Sequence, residues 1–294
     1  MKIVIAALAV IATAGGPSPV AGQEAAIAPQ PTSIEGAHTH VYKSIDGIDL
    51  RLHVFSPPDH LASMKRPAIV FFFGGGWTRG TVEQFVPQSQ HLAERGMVAI
   101  VADYRVFDRN KTTPFEAMTD ARSAIRWVRS HAPELGIDPA RIAASGGSSG
   151  GHIALSAAVF DRFDDPREDR SVSAKPNALV LFNPAVDTSS APTFAARTPG
   201  RGQEGSPFHH LDATLPPTVI LHGTADAIVP YASVERFCAR AKELGRRCEV
   251  VGYEGAEHGF FNPPNADGKW YRQTVLEMDR FLASIGYLSN ADTR

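Results

Sequence analysis

The run Gly146-Gly147-Ser148-Ser149-Gly150-Gly151 constrains this chain more than any other stretch. It sets a serine at the centre of a G-x-S-x-G pattern. The short apolar run 141–144 precedes it, and residues 153–159, rich in good helix formers and small side chains, follow. A chain that passes from strand to helix through so tight a turn brings the two backbones together. The flanking positions must then be small, and glycines at 146, 150 and 151 meet that demand. Such a turn also lifts the serine hydroxyl clear of the backbone, where a histidine can take its proton. A second register would centre on Ser149, between Gly147 and Gly151. Ser148 is preferred because it leaves the doubled glycine at the helix start. Six Gly/Ser residues alone would read as a linker; between a strand and a helix they read as a nucleophile elbow.

The rest of the chain repeats that alternation. Residues 68–73, after Pro67, are a continuous apolar run fit for a strand buried on both faces, and it stops at Gly74-Gly75-Gly76-Trp77. Further buried strands are expected at 97–102, 178–182, 218–221 and 249–253. Residues 41–44 and 50–55 flank Asp46-Gly47, a hairpin signal. Helices are expected to close at 91–95 before Gly96, and to span 114–131, 233–244 and 270–285. The clearest is 114–131, with Phe115, Met118, Ala121, Ala124, Ile125 and Val128 on one face. The expected fold class is α/β: a mostly parallel sheet, helices on both faces, and an antiparallel hairpin at its start. Two stretches break the rhythm. Residues 161–173 are charged and read as a surface excursion. Residues 188–217 carry Pro, Gly, Ser, His209 and His210, and read as a small lid or pocket wall.

The 294 residues, 43% hydrophobic, suffice for one large core, and a formal net charge of -2 offers no basic field for nucleic acid. Residues 1–22 read as an export signal. Lys2 supplies the positive start, and the apolar run 3–12 is too short to span a bilayer. Val20-Ala21-Gly22 suits a cleaving peptidase. An uncleaved anchor is the alternative. Cleavage would leave no stable membrane insertion and a secreted or periplasmic protein. Residues 23–38 read as a disordered linker. In an oxidising compartment the two cysteines, Cys238 and Cys248, would pair across a helix end. That bridge would stabilise by roughly 2–3 kcal/mol in the chain-entropy model; two buried free thiols are the alternative. No second Cys/His pair has ligand spacing, so no metal site is expected.

An elbow serine needs a base, an acid that orients it, and donors for an oxyanion. Asp226, in Leu221-His222-Gly223-Thr224-Ala225-Asp226, follows a strand by a short loop and is the acid candidate; Asp187 is a weaker rival. His258, between Gly255 and Gly259 after the last strand, is the base candidate. Of the 11 histidines, His258 alone combines a strand-end position with the chain order Ser148, Asp226, His258. His152 reads as a first-turn helix residue and His222 as packing under the acid loop. His209 and His210 would face either surface or pocket. The N–H groups of Gly74, Gly75 and Ser149 are the candidate oxyanion donors.

Phe73-Gly74-Gly75-Gly76-Trp77, Asp103-Tyr104-Arg105, the elbow with His152, His222-Gly223-Thr224-Ala225-Asp226 and Glu257-His258-Gly259-Phe260 together resemble the α/β-hydrolase superfamily. The resemblance covers residues 41–285. It points to the esterase/lipase branch related to hormone-sensitive lipase and to exported acetylxylan-esterase-like enzymes, with the catalytic domain at 39–294. It implies a cofactor-free serine hydrolase of carboxylic esters: nucleophile Ser148, acid Asp226, base His258. A short-acyl ester, small or borne on a polysaccharide such as xylan, is the expected substrate partner. One departure stands out: that branch has a histidine before the three glycines, and this chain has Phe73. An amidase or formamidase, an exported peptidase of the same fold and a non-catalytic binding protein remain as alternatives.

Overall fold

The computed structural model describes residues 29–289. The expected export signal, residues 1–22, lies outside the described residues. In chain order the elements are β1 (His38–Ile45), β2 (Ile48–Phe55), β3 (Arg66–Phe72), α1 (Val86–Glu94), β4 (Val98–Ala102), α2 (Phe107–Asn110), α3 (Pro114–Ser130) and β5 (Ile137–Gly147). Then come α4 (Ser149–Val159), β6 (Ala178–Phe182), α5 (Pro192–Arg197), β7 (Thr218–Gly223), α6 (Tyr231–Glu243), β8 (Cys248–Tyr253) and α7 (Lys269–Ser284). The strands form one sheet ordered β1-β2-β4-β3-β5-β6-β7-β8. Only β2 runs against the others.

Composition explains the order. Every residue of β4, β6 and β7 is buried, as strands covered by helices on both faces require. The β1–β2 hairpin turns on Asp46 (φ 52°) and Gly47 (φ 76°), two successive left-handed residues of the kind a tight two-residue hairpin demands. Helix α3 starts where Thr113 and Glu116 form a reciprocal capping box around Pro114. Because parallel strands share a direction, their C-terminal ends share one edge of the sheet, and the loops that leave β3, β5, β6, β7 and β8 gather there.

Two expectations need correction. Of the segment expected as a disordered linker, residues 23–28 lie outside the described residues, and the remainder is held from Gln30 onward. Gln30 donates Nε2 to Gly80 O at 2.7 Å and accepts Val82 N–H at 3.0 Å, while Ile34 and Ala37 pack on the core. Residues 161–173 are not a free surface excursion. Asp164 pairs with Arg122 (2.7 Å) and Arg126 (2.6 Å) of α3, and Asp165 with Lys43 (3.0 Å) of β1. Lys43 also meets the buried Asp120, which is clasped by Arg105. Asp164 and Asp165 add negative charge beside the buried cations Lys43, Arg122 and Arg126, which is why a charged segment lies against the body.

Cys238 of α6 and Cys248 of β8 are bridged, with Cα atoms 5.1 Å apart. The bridge ties the edge strand to the helix that covers it. Replacing both cysteines with serine is expected to lower unfolding free energy by about 2–3 kcal/mol, as read from urea denaturation. An unchanged denaturation midpoint would assign the bridge no structural part.

Candidate active site

The elbow sits where β5 gives way to α4, next to the end of β3. Ser148 adopts φ 53° and ψ −117°, a conformation L-residues rarely hold. It is kept there by its own N–H, donated to Phe182 O of β6 at 2.9 Å. The close approach is literal. A Cβ on Gly150 would lie 2.1 Å from Phe72 O, and one on Gly146 would lie 2.5 Å from Gly150 C. Ser148 is therefore the elbow residue, and Ser149 opens the first turn of α4.

The loops after β7 and β8 bring the other two groups to it. His258 Nε2 lies 3.0 Å from Ser148 Oγ, and His258 Nδ1 lies 2.7 Å from Asp226 Oδ2. With Nδ1–H donating to the carboxylate, Nε2 is left to accept the serine proton. Asp226 Oδ1 accepts the N–H groups of Ile228 and Val229, both at 2.9 Å. Its Oδ2 is also 3.2 Å from Nε2 of the buried His222, which donates to Val229 O at 2.8 Å. Burial pushes the Asp226 carboxyl up, but hydrogen bonds from His222, His258 and the Val229 N–H outweigh it. The group is held well below the usual carboxylate range. It is an anion at neutral pH.

The remaining candidates fall elsewhere. Asp187 spends its Oδ1 on the N–H and hydroxyl of Ser189 and on Ser206 Oγ, not on His258. His152 is fully buried in α4; Trp77 Nε1–H donates to its Nδ1 at 3.2 Å and its Nε2–H donates to Gly205 O at 2.8 Å. Burial pushes its pKa down to about 4, so it is a neutral packing residue. His209 bonds Ser206 Oγ and His210 bonds Gln203 O, both within the 188–217 stretch. That stretch walls the cleft: Ala191, Pro192 and Thr193 line it. Phe194, fully buried, anchors it edge-on against Trp77 and His152.

The glycine loop after β3 differs from expectation at one position. Gly74 donates its N–H to Gln84 Oε1 at 2.7 Å, so this donor is already committed. Gly75 (φ 133°) and Gly76 (φ 64°) border the cleft with Ser148. Among the described residues no protein acceptor takes either N–H. The Ser149 N–H opens α4, where no intrahelical acceptor exists. The N–H groups beside Ser148 without a protein acceptor among the described residues are thus those of Gly75, Gly76 and Ser149. Phe73, standing where a histidine was expected, stacks on Tyr104 with ring centroids 4.1 Å apart, and the Tyr104 hydroxyl donates to Phe73 O at 2.7 Å. An aromatic pair and Gln84 brace the loop in place of a histidine.

Sequence reading missed three supporting residues. Gln84 Nε2 donates to Asn262 Oδ1 at 3.1 Å, linking the glycine loop to the histidine loop. Asn183, at the end of β6, accepts the Gly259 N–H at 3.2 Å and so fixes the residue after His258. A signal existed only for Asn183: an asparagine at a strand end suits the left-handed φ of 35° found there.

An elbow serine, a histidine and a carboxylate in one hydrogen-bonded line on an eight-stranded, mostly parallel sheet define an α/β hydrolase of the esterase/lipase branch. The chain belongs to the BD-FAE family, whose model matches residues 52–240. It is 27% identical over 256 residues to the probable carboxylic ester hydrolase LipM of Mycobacterium tuberculosis, covering 80% of this chain and 58% of that one. It is likewise 27% identical over 232 residues to the probable isoprenylcysteine alpha-carbonyl methylesterase ICMEL1 of Arabidopsis thaliana, covering 71% of this chain and 48% of that one. The chain thus spans about half the length of the curated relatives it matches. Among solved structures, the apo form of Thermogutta terrifontis esterase 2 superposes with a TM-score of 0.84 at 45% identity, covering 87% of this chain and 97% of that one. The same esterase with propionate bound gives a TM-score of 0.83 at 45% identity, covering 87% and 96%.

Proposed function

We propose that the protein is an exported serine carboxylic-ester hydrolase that acts on short-acyl esters through an acyl-enzyme. The observation that carries this reading is the unbroken Ser148–His258–Asp226 line. Ser148 Oγ attacks the ester carbonyl as His258 Nε2 takes its proton. The N–H groups of Gly75, Gly76 and Ser149 receive the oxyanion. The carbonyl–alkoxy bond breaks, and the proton on Nε2 goes to the departing alkoxide. Water, deprotonated by the same nitrogen, then attacks the acyl-enzyme and releases the acid. Asp226, held ionised, stabilises the imidazolium in both steps.

The short-acyl preference is supported by the propionate- and butyrate-bound structures of the Thermogutta esterase. Deacetylation of xylan or a related polysaccharide is the finer form of the reading. It is supported by the sequence resemblance and by the signal-like residues 1–22.

One mass measurement tests both location and nucleophile. The full chain is expressed in a bacterial host, and the extracytoplasmic fraction is treated with paraoxon, which phosphorylates the Thermogutta esterase. The protein is expected to begin after Gly22 and to gain one diethylphosphoryl group as 4-nitrophenol leaves. Ser148→Ala is expected to gain none and to lose turnover of p-nitrophenyl acetate. A labelled, active Ser148→Ala would move the nucleophile elsewhere, and an uncleaved product would remove the export assignment.

A further inference from the structure

The edge of the sheet where the parallel strands begin, opposite the one that holds Ser148, carries two hollows that the mechanism does not use. One, of about 510 Å³, lies near the starts of β3, β4 and β5 and is bordered by Lys65, Arg66, Arg95 and Arg141. The other, of about 380 Å³, lies near the starts of β6, β7 and β8 and is bordered by Arg129, Lys175 and Arg246. Among the described residues no carboxylate borders either hollow. The length of β3, about 20 Å, separates the first hollow from the catalytic edge.

These cations differ in what they have left to give. Arg95 is paired with Asp279 and Arg141 with Asp138. Arg141 also donates to Lys65 O at 3.1 Å and Gly286 O at 3.3 Å, which fixes two walls of the first hollow. Arg129 spends its donors on the carbonyls of Pro139 and Lys175 and on Asn177 Oδ1, so it adds charge but few open N–H groups. The other four keep donors. Lys65 Nζ and the two Nη groups of Arg246 have no protein acceptor among the described residues. Arg66 gives Nη2 only to the Met64 sulfur, at 3.7 Å, and Lys175 gives one proton of three to Thr214 Oγ1. None of these four has a carboxylate in ion-pair contact among the described residues; Lys65 acts on Asp138, and Lys175 and Arg246 act on Asp212, only at longer range. The hollows adjoin. Arg129 and Arg141 hold neighbouring residues of one turn, Pro139 and Asp138, and both act on the buried Tyr287 hydroxyl, which has no protein partner among the described residues.

We propose that this edge binds an acidic polysaccharide, a chain of uronate units whose carboxylates seat in turn on Lys65 with Arg66 and on Lys175 with Arg246. Two adjoining hollows suit a chain more than a single small anion. Unpaired cations with open donors suit carboxylates, because charge-assisted hydrogen bonds are the stronger kind. The choice of a polysaccharide among anionic polymers rests on the exported-esterase reading. The formal net charge of -2 conceals this edge, since it averages over the whole chain. Binding here holds the enzyme on a polymer while other stretches of that polymer bring their esters to Ser148.

The test titrates the full chain into a labelled oligogalacturonate and follows fluorescence anisotropy. Binding is expected to weaken as salt rises, and an uncharged xylo-oligosaccharide is expected not to compete. Lys65→Gln with Arg66→Gln, and separately Lys175→Gln with Arg246→Gln, are each expected to weaken binding about tenfold. Thermal denaturation checks that both paired variants keep the fold, and their turnover of p-nitrophenyl acetate is expected to be unchanged. Ser148→Ala is expected to bind as the unaltered chain does, so a failure of the esterase reading leaves this readout in place. An absence of salt-sensitive binding, full binding in both paired variants, or equal competition by the uncharged sugar overturns the proposal. Loss in one pair alone leaves a single-anion site and overturns the path across both hollows. Tighter binding of polyphosphate assigns the edge to a phosphate polymer, and binding of phosphatidylglycerol vesicles in place of the oligogalacturonate assigns it to a membrane; either result overturns the polysaccharide.

Discussion

Asp226→Asn is expected to lower kcat on p-nitrophenyl acetate by about four orders of magnitude while the protein stays folded. The reason lies in how the carboxylate is shared. Oδ1 accepts two backbone N–H groups, and an asparagine would keep those bonds by placing its carbonyl oxygen there. Its amide nitrogen must then occupy the Oδ2 position. That position faces His258 Nδ1 at 2.7 Å and His222 Nε2 at 3.2 Å. A donor in that place turns the His258 proton from Nδ1 to Nε2, and the imidazole can no longer accept from Ser148. The imidazolium also loses its anion. Because Asp226 is held well below the usual carboxylate range, the loss should persist across neutral pH and not fade on raising it. Asp187→Asn should cost far less, since Asp187 is bonded to Ser189 and Ser206. Steady-state kinetics on both variants, with circular dichroism for folding, decide the matter. A larger loss in Asp187→Asn would transfer the acid role to it.

Gly75→Ala is the second large effect, expected at about 10²–10³ in kcat. At φ 133° an L-residue is strained whatever surrounds it. A Cβ at Gly75 would also stand 2.1 Å from Arg79 O. That carbonyl cannot simply retreat, because the loop closes on itself: Thr78 and Arg79 both donate their N–H groups to Gly75 O. The glycine loop must open, carrying the Gly75 and Gly76 N–H groups away from Ser148. The paraoxon reaction should slow in parallel, since its oxyanion uses the same donors. Gly47→Ala is a suitable control: it has positive φ but nothing within 4 Å of its added carbon. It should cost about 1 kcal/mol of stability and no activity. If Gly75→Ala kept full kcat, the oxyanion would have to be held by other donors.

Much of the site was legible in the residues themselves. Ser148 is announced by glycines whose smallness a strand-to-helix turn requires. His258 is announced by Gly255 (φ 70°) and Gly259 (φ 75°), which bend its loop inward. Asp226 is announced by its place after a buried strand. Each of these is a demand on neighbouring backbone, and such demands are met by residues a few positions apart. The alternation of apolar strands and amphipathic helices is equally local, because it follows from periods of two and 3.6 residues.

What only the tertiary structure decided are the partnerships between distant segments. Gly74 was a candidate oxyanion donor by its place in the triple glycine, but its N–H is taken by Gln84, ten residues on, which in turn reaches Asn262, 178 residues from it. The charged stretch 161–173 became a clamp because Lys43 and the arginines of α3 lie beneath it. The cleft exists because the loops after β3, β5, β6, β7 and β8 converge on one edge of the sheet. Sequence sets which conformations a residue can hold, since sterics act through the nearest bonds. Which donor meets which acceptor depends on strand order, and strand order is a property of the whole packed chain.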